Sequence, residues 1–219
     1  KMSVDYKVLV KYLKEDVIDL NYHKMCQSLE NIEMDESIEI LFRYYRKHGF
    51  PHYKIRDEEK HEQMRKLQNF KHEHIIDGDE VTQTMNGLRL AWSYFPQFWD
   101  VPCGNAKTTP MQNFNDDDKL REVIRKTIKW HFNHSDKPHW TENRFRQNLK
   151  IYGGTQTVSN FRPTAAKYIY ETYGGDGVVW DMSCGWGGRL LGALSSNRIK
   201  KYIGTEPSTK TFEGLNKIK

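Results

Sequence analysis

Asp181, Gly185, Gly187 and Glu206 are the residues whose types and spacing point to chemistry. Asp181 closes the apolar run Val178-Val179-Trp180, and the stretch Ser183-Cys184-Gly185-Trp186-Gly187-Gly188 follows it at once. Leu190, Leu191, Ala193 and Leu194 then suit a short helix, and Lys201-Tyr202-Ile203-Gly204 reads as a second strand that delivers Glu206. The order strand, glycine loop, helix, strand is the unit that builds a parallel sheet. Glycines at the loop let backbone approach a ligand at a helix N-terminus, where amide groups point outward. A carboxylate at the end of the second strand would accept hydrogen bonds from the hydroxyls of a nucleotide ribose. A dinucleotide fingerprint would place a third glycine where Leu190 stands, so a nicotinamide dinucleotide is not specified. The plainer alternative is that the glycines only turn the chain between a strand and a helix.

The strand-end acid with its glycine loop resembles motif I of class I S-adenosylmethionine-dependent methyltransferases. Upstream, Ser159-Asn160-Phe161-Arg162-Pro163-Thr164 leads into a helix that Pro163 can start and Gly174 can stop. This turn, one helix and the motif I strand resemble motif X followed by motif I of the DNA amino-methyltransferases. The family places Thr before Pro, whereas Thr164 follows Pro163 here. The resemblance implies S-adenosylmethionine as cofactor, its amino-acid end closed over by the turn carrying Phe161, Pro163 and Thr164. Asp181, Gly185 and Gly187 would surround that end and Glu206 would take the ribose, with Ser183 and Pro207 beside them counted among the cofactor-binding residues.

The same resemblance implies a catalytic tetrad, Asp/Asn/Ser-Pro-Pro-aromatic, that accepts hydrogen bonds from the amine of a flipped adenine or cytosine. No such tetrad occurs in these residues, Tyr94-Phe95-Pro96-Gln97-Phe98-Trp99 lacking both the acid and the second proline. Pro102-Cys103 supplies the letters of a cytosine-C5 nucleophile on the wrong side of the glycine loop. The catalytic residues are therefore unassigned and expected beyond Lys219, together with the further strands that a class I sheet needs. Lys1 ahead of Met2 is expected to be a tag remnant.

These residues must be positioned by a mixed fold: a largely α-helical N-terminal domain over 1–150, then the start of an α/β Rossmann-like methyltransferase domain over 151–219. Two short helices are expected between Val4 and Asn31. A clearer one follows Asp35, with Ile38, Leu41, Phe42 and Tyr45 on one stripe and Gly49 as its stop. Asp57 can open another through about Phe70, mostly wet, and Gly87 to Trp99 reads as a buried aromatic segment. Val101 to Asn115 is expected to be a long loop. The acids at 116–118 then begin a helix with Leu120, Val123, Ile124, Ile128 and His131 on one face and Arg125, Lys126 and Lys129 toward its C-terminus. Those cations satisfy the helix macrodipole. Alternatively they continue into a phosphate-contacting face through Trp140, Arg144, Arg146 and Lys150, where cations alternate with aromatics.

Composition narrows the class. The chain has 219 residues, 37% hydrophobic and 13% aromatic, with net charge +5, a pI near 8.9 and a mean hydropathy of −0.84. A solvated, mildly basic protein is expected, and this charge favours nucleic acid only mildly over an ordinary soluble surface. DNA as partner is what the resemblance implies, and RNA is compatible with the same residues. Cys26, Cys103 and Cys184 are isolated, which argues against a disulfide framework and for a reducing, cytoplasmic setting. His72, His74, His131 and His134 lack the frame of a metal site. No run approaches membrane-spanning length, so neither signal peptide nor anchor is expected. Oligomeric state is unreadable. The functional expectation is methylation of an amino group of a DNA base; the alternatives are an RNA methyltransferase and a non-catalytic helical module for nucleic-acid binding or assembly.

Overall fold

The computed structural model describes residues 34–71, 73, 75–134, 140–175 and 177–218. The helices expected between Val4 and Asn31, together with Cys26, His72 and His74, lie outside them. The described chain is mostly helical with two small sheets, and it divides into two compact units that alternate along the sequence: residues 1–51 with 99–157, and 52–98 with 158–219. The boundary drawn from sequence at 150/151 thus differs from the observed passage at 157/158. Segment 52–98, expected in the N-terminal domain, belongs to the second unit. Its apolar residues are covered by the β-α-β segment, a tertiary preference that local periodicity does not report.

The first unit contains α1 (Met34–His48), α4 (Pro110–Asn115), α5 (Asp117–His134) and α6 (Glu142–Ile151). The stripe Ile38, Leu41, Phe42 and Tyr45 is buried on α1, as is the face Leu120, Val123, Ile124, Ile128 and His131 on α5. Gly49 stops α1 with a left-handed φ of 78°. Aromatics tie the helices together: Tyr45 stacks on Phe145 at 4.5 Å, and Trp140 Nε1 donates to the Tyr45 hydroxyl at 2.9 Å. The loop expected over 101–115 is present over 101–109, and helix α4 replaces its last part, Pro110–Asn115. Thr109 and Gln112 form a reciprocal capping box with Pro110 at the first helical position, which closes orphan amides that a loop would leave to water.

The second unit contains α2 (Asp57–Gln68), the hairpin of β1 (Ile76–Asp77) and β2 (Glu80–Val81), α3 (Leu88–Ser93), α7 (Pro163–Tyr173), β3 (Val178–Asp181), α8 (Gly188–Ser195), β4 (Lys201–Gly204) and α9 (Thr209–Asn216). Pro163 starts α7 and Gly174 caps it, as the sequence predicts. Strands β3 and β4 pair in parallel, Val179 opposite Tyr202 and Asp181 opposite Gly204. The strand, loop, helix, strand order is therefore present as one β-α-β unit. Helix α8 lies close on α7, because a Cβ at Gly192 would stand 2.5 Å from Ala166 Cβ and 2.9 Å from the Pro163 carbonyl oxygen. Leu190 left the dinucleotide position without a glycine, yet close packing is achieved by Gly188 and Gly192 instead. Lys167 on α7 is 4% exposed, and its ammonium donates to the carbonyls of Leu67, Gln68 and Phe70 at 3.0, 2.6 and 2.8 Å. These are carbonyls at and just past the C-terminus of α2, where a cation is favoured.

Candidate functional site

Parallel register puts Asp181 and Tyr202 on one face, since side chains two residues apart along a strand point the same way. The Tyr202 hydroxyl donates to Asp181 Oδ2 at 2.5 Å. Arg189, in the first turn of α8, reaches back to the same carboxylate, Nε to Oδ2 at 2.6 Å and Nη2 to Oδ1 at 3.2 Å, and Nη2 also donates to the Ser183 carbonyl. The Ser183 amide adds a bond to Oδ1 at 3.2 Å. Burial alone would raise the Asp181 pKa, but the Arg189 and Tyr202 bonds and the Ser183 amide outweigh it and hold the carboxyl below its ordinary range. Conversely, burial and the neighbouring Asp181 charge push the Tyr170 phenol up to about 12, and burial with the Asp181 hydrogen bond drives Tyr202 upward too. The site at neutral pH is an ionised carboxylate and a guanidinium among protonated phenols.

The loop between β3 and α8 is held from two sides. Glu206 accepts from the Gly185 amide at 3.1 Å and from the Ser208 amide at 3.0 Å, so each oxygen keeps lone-pair capacity for a further donor. Asn160 donates to the Trp186 carbonyl at 2.8 Å and accepts from the Gly188 amide at 3.3 Å, pinning the turn before α7 onto the loop. Gly185 has φ 59°, and a Cβ there would meet only the Ser183 carbonyl oxygen, at an unobstructing 3.9 Å. Gly187 has φ 80°, but a Cβ there would meet Ile218 at 2.7 Å and Phe95 at 3.0 Å. Of the two glycines, only Gly185 leaves room for a ligand, and Gly187 serves packing.

The remaining expected residues fall as follows. Phe161 is exposed, with the Arg189 guanidinium 5.7 Å from its ring centre. Ser183 and Pro207 are exposed beside the acids at the two strand ends. Pro163 is buried against Gly87. Thr164 is 1% exposed, its hydroxyl 2.8 Å from that of Thr84, which corrects the expectation that it meets a cofactor. Trp186 is half-buried, 5.9 Å from Trp92 and 5.7 Å edge-on from Phe95. It therefore packs, and Arg189 turns to Asp181 and Phe161 instead of stacking on it. Trp186→Ala should cost about 2 kcal/mol, short of a full core deletion, lowering the melting temperature by roughly 5 °C in a thermal scan. A melt unchanged from wild type would show the indole to be idle in the fold.

Tyr202 and Asn160 carry no site signal in the sequence, and Arg189 reads there as a cation able to stack on Trp186. Arg189 also carried a further readable signal: a cation in a helix's first turn opposes the macrodipole and so calls for an anionic partner.

In the first unit, Arg146 is 8% exposed and donates to the Pro51 carbonyl at 3.0 Å and to Glu142 at 3.4 Å. Its guanidinium serves the fold, which corrects its assignment to a nucleic-acid face. Arg144 lies 3.5 Å over the Trp130 ring, and His134 stacks on that indole at 4.3 Å. Lys150 is half-buried, its pKa lowered by burial. Among the described residues no cluster of His, Cys, Asp and Glu could hold a metal ion. No helix there is long and apolar enough to cross a membrane. No family model, curated protein or solved structure matches the chain.

Proposed function

We propose that the second unit is the cofactor-binding part of an S-adenosylmethionine-dependent methyltransferase acting on an amino group of a DNA base. The observation that carries this reading is the Asn160 bridge, which brings the motif X-like turn onto the motif I-like glycine loop. Motif order alone is a pattern in one dimension; the bridge makes the two segments walls of one site. The glycine loop, with Gly185 open and left-handed, leaves backbone accessible beside the N-terminus of α8. Glu206 stands at the end of the neighbouring strand with acceptor capacity for ribose hydroxyls. Asp181 is balanced by its ion pair with Arg189, and Glu206 adds a second carboxylate bonded to the loop amide of Gly185, a balance that favours a ligand of net positive charge, with a sulfonium and an ammonium against one carboxylate. A Rossmann-like continuation of the β-α-β unit and a DNA substrate rest on the resemblance to the amino-methyltransferases.

Isothermal titration with S-adenosylmethionine tests the reading. Wild type should bind, and Gly185→Asn, a residue tolerated at left-handed φ, should weaken binding at least tenfold while melting within a few degrees of wild type. Absence of binding by wild type at millimolar cofactor sinks the proposal. Competition between a DNA duplex and the RNA of the same sequence for the cofactor-loaded protein separates the two substrate classes.

A further inference from the structure

Asp181 is fully engaged by its own chain. Its Oδ1 accepts from the Ser183 amide and Arg189 Nη2, its Oδ2 from Arg189 Nε and the Tyr202 hydroxyl. An acid so occupied has little left to offer a ligand ammonium, so its work is to hold Arg189. That guanidinium is fixed along one edge by the carboxylate and at Nη2 by the Ser183 carbonyl. Its Nη1 donates to no protein atom among the described residues, and the side chain is 29% exposed. Beside it stand the exposed ring of Phe161 and the loop that reaches Gly185. A planar, always-charged fork with a donor to spare, held in place and part-exposed beside the glycine loop, is suited to a carboxylate.

We infer that Arg189 is a specificity-determining residue that binds the carboxylate of the cofactor's amino-acid end, with Asp181 and Tyr202 as positioning residues behind it. The inference rests on the proposed methyltransferase reading and adds to it which group recognises the amino acid. Asp181 fixes the direction of the guanidinium, and Tyr202 fixes Asp181. Discrimination follows from chemistry: a ligand without the carboxylate leaves the Arg189 donors to water, whereas one that has it gains a charge-assisted bond.

The test compares S-adenosylmethionine with decarboxylated S-adenosylmethionine, which keeps the ammonium, sulfonium and adenosine and lacks only the carboxylate. Titration of wild type, Arg189→Met and the double variant Asp181→Asn/Arg189→Met gives the affinities; the double variant avoids stranding a half-buried carboxylate without its partner. Wild type should prefer the intact cofactor, and both variants should lose about 10- to 100-fold in affinity for it, the worth of a hydrogen bond to a charged group. Their affinity for the decarboxylated ligand should change less than about threefold, a range left for indirect effects. Equal losses for both ligands in the double variant, or a wild type that binds both equally well, would overturn the inference while leaving the methyltransferase reading standing. A wild type that binds neither ligand overturns the reading and this inference with it.

Discussion

Gly188→Ala should cost the protein about 3 kcal/mol, the upper end of what overpacking does, and lower its melting temperature by roughly 10 °C. The added methyl would stand 1.9 Å from the Phe161 carbonyl oxygen and 2.7 Å from Asn160 Oδ1. The first obstacle is backbone, which has no rotamer to change, so the turn at 159–161 must move off the helix. Asn160 bonds the loop through the Trp186 carbonyl and the Gly188 amide, and that displacement breaks both bonds. The lesion is thus structural and functional at once: cofactor affinity should fall together with stability. Paired thermal scans and titrations of Gly188→Ala and Gly185→Asn check the distinction. At Gly185 nothing of the protein stands in the way, so binding should fall there without a comparable loss of stability. Wild-type stability in Gly188→Ala would mean that the turn does not rest on the helix.

The contrast between these two glycines shows how far the sequence carries. A strand, a glycine loop, a helix and a strand are local patterns with distinct periods, and all were legible between Val178 and Gly204. So was α7, because a proline start and a glycine stop act within one turn of the backbone. What each glycine does was not legible. Gly185 and Gly187 look alike in the sequence, yet a side chain at one would meet only the Ser183 carbonyl oxygen at 3.9 Å and at the other would collide with Phe95 and Ile218, residues remote from it in the chain. The same limit explains Arg146: an arginine at helical spacing from Glu142 resembles a solvated cation, and only the return of Pro51 to within 3.0 Å makes it a buried donor. Helix α4 is a different kind of miss. Thr109-Pro110-Met111-Gln112 is a capping box with proline in its first turn, a signal present in the letters but submerged in a stretch rich in prolines, asparagines and threonines.

Lys167 is the strongest case of a residue whose role is written only in tertiary structure, and its removal is the other large effect expected. Lying between Ala166 and Tyr168 on α7, it resembles a helix-surface lysine, yet its side chain is 5% exposed. Its ammonium fills the place that water or a cap would occupy at the end of α2, bonding Leu67, Gln68 and Phe70 carbonyls with Glu171 at 3.9 Å. A buried charge is tolerable only when its partners are this complete. Lys167→Met keeps much of the apolar stem and deletes the donors, leaving carbonyls short of partners at a cost of 1–3 kcal/mol for each one that water does not reach. Some will be rehydrated, so about 3 kcal/mol is expected, near the lower end for breaking a buried ionic contact. The melting temperature should fall by roughly 10 °C. Hydrogen exchange should localise the loss: amides of α2 and α7 open more readily, because both helices lose the bonds that join them, while α1 and α5 in the other unit keep their protection. A Lys167→Met protein that melts like wild type would mean that packing alone holds α7 against α2. In that case the three short contacts stabilise nothing beyond the desolvation they offset.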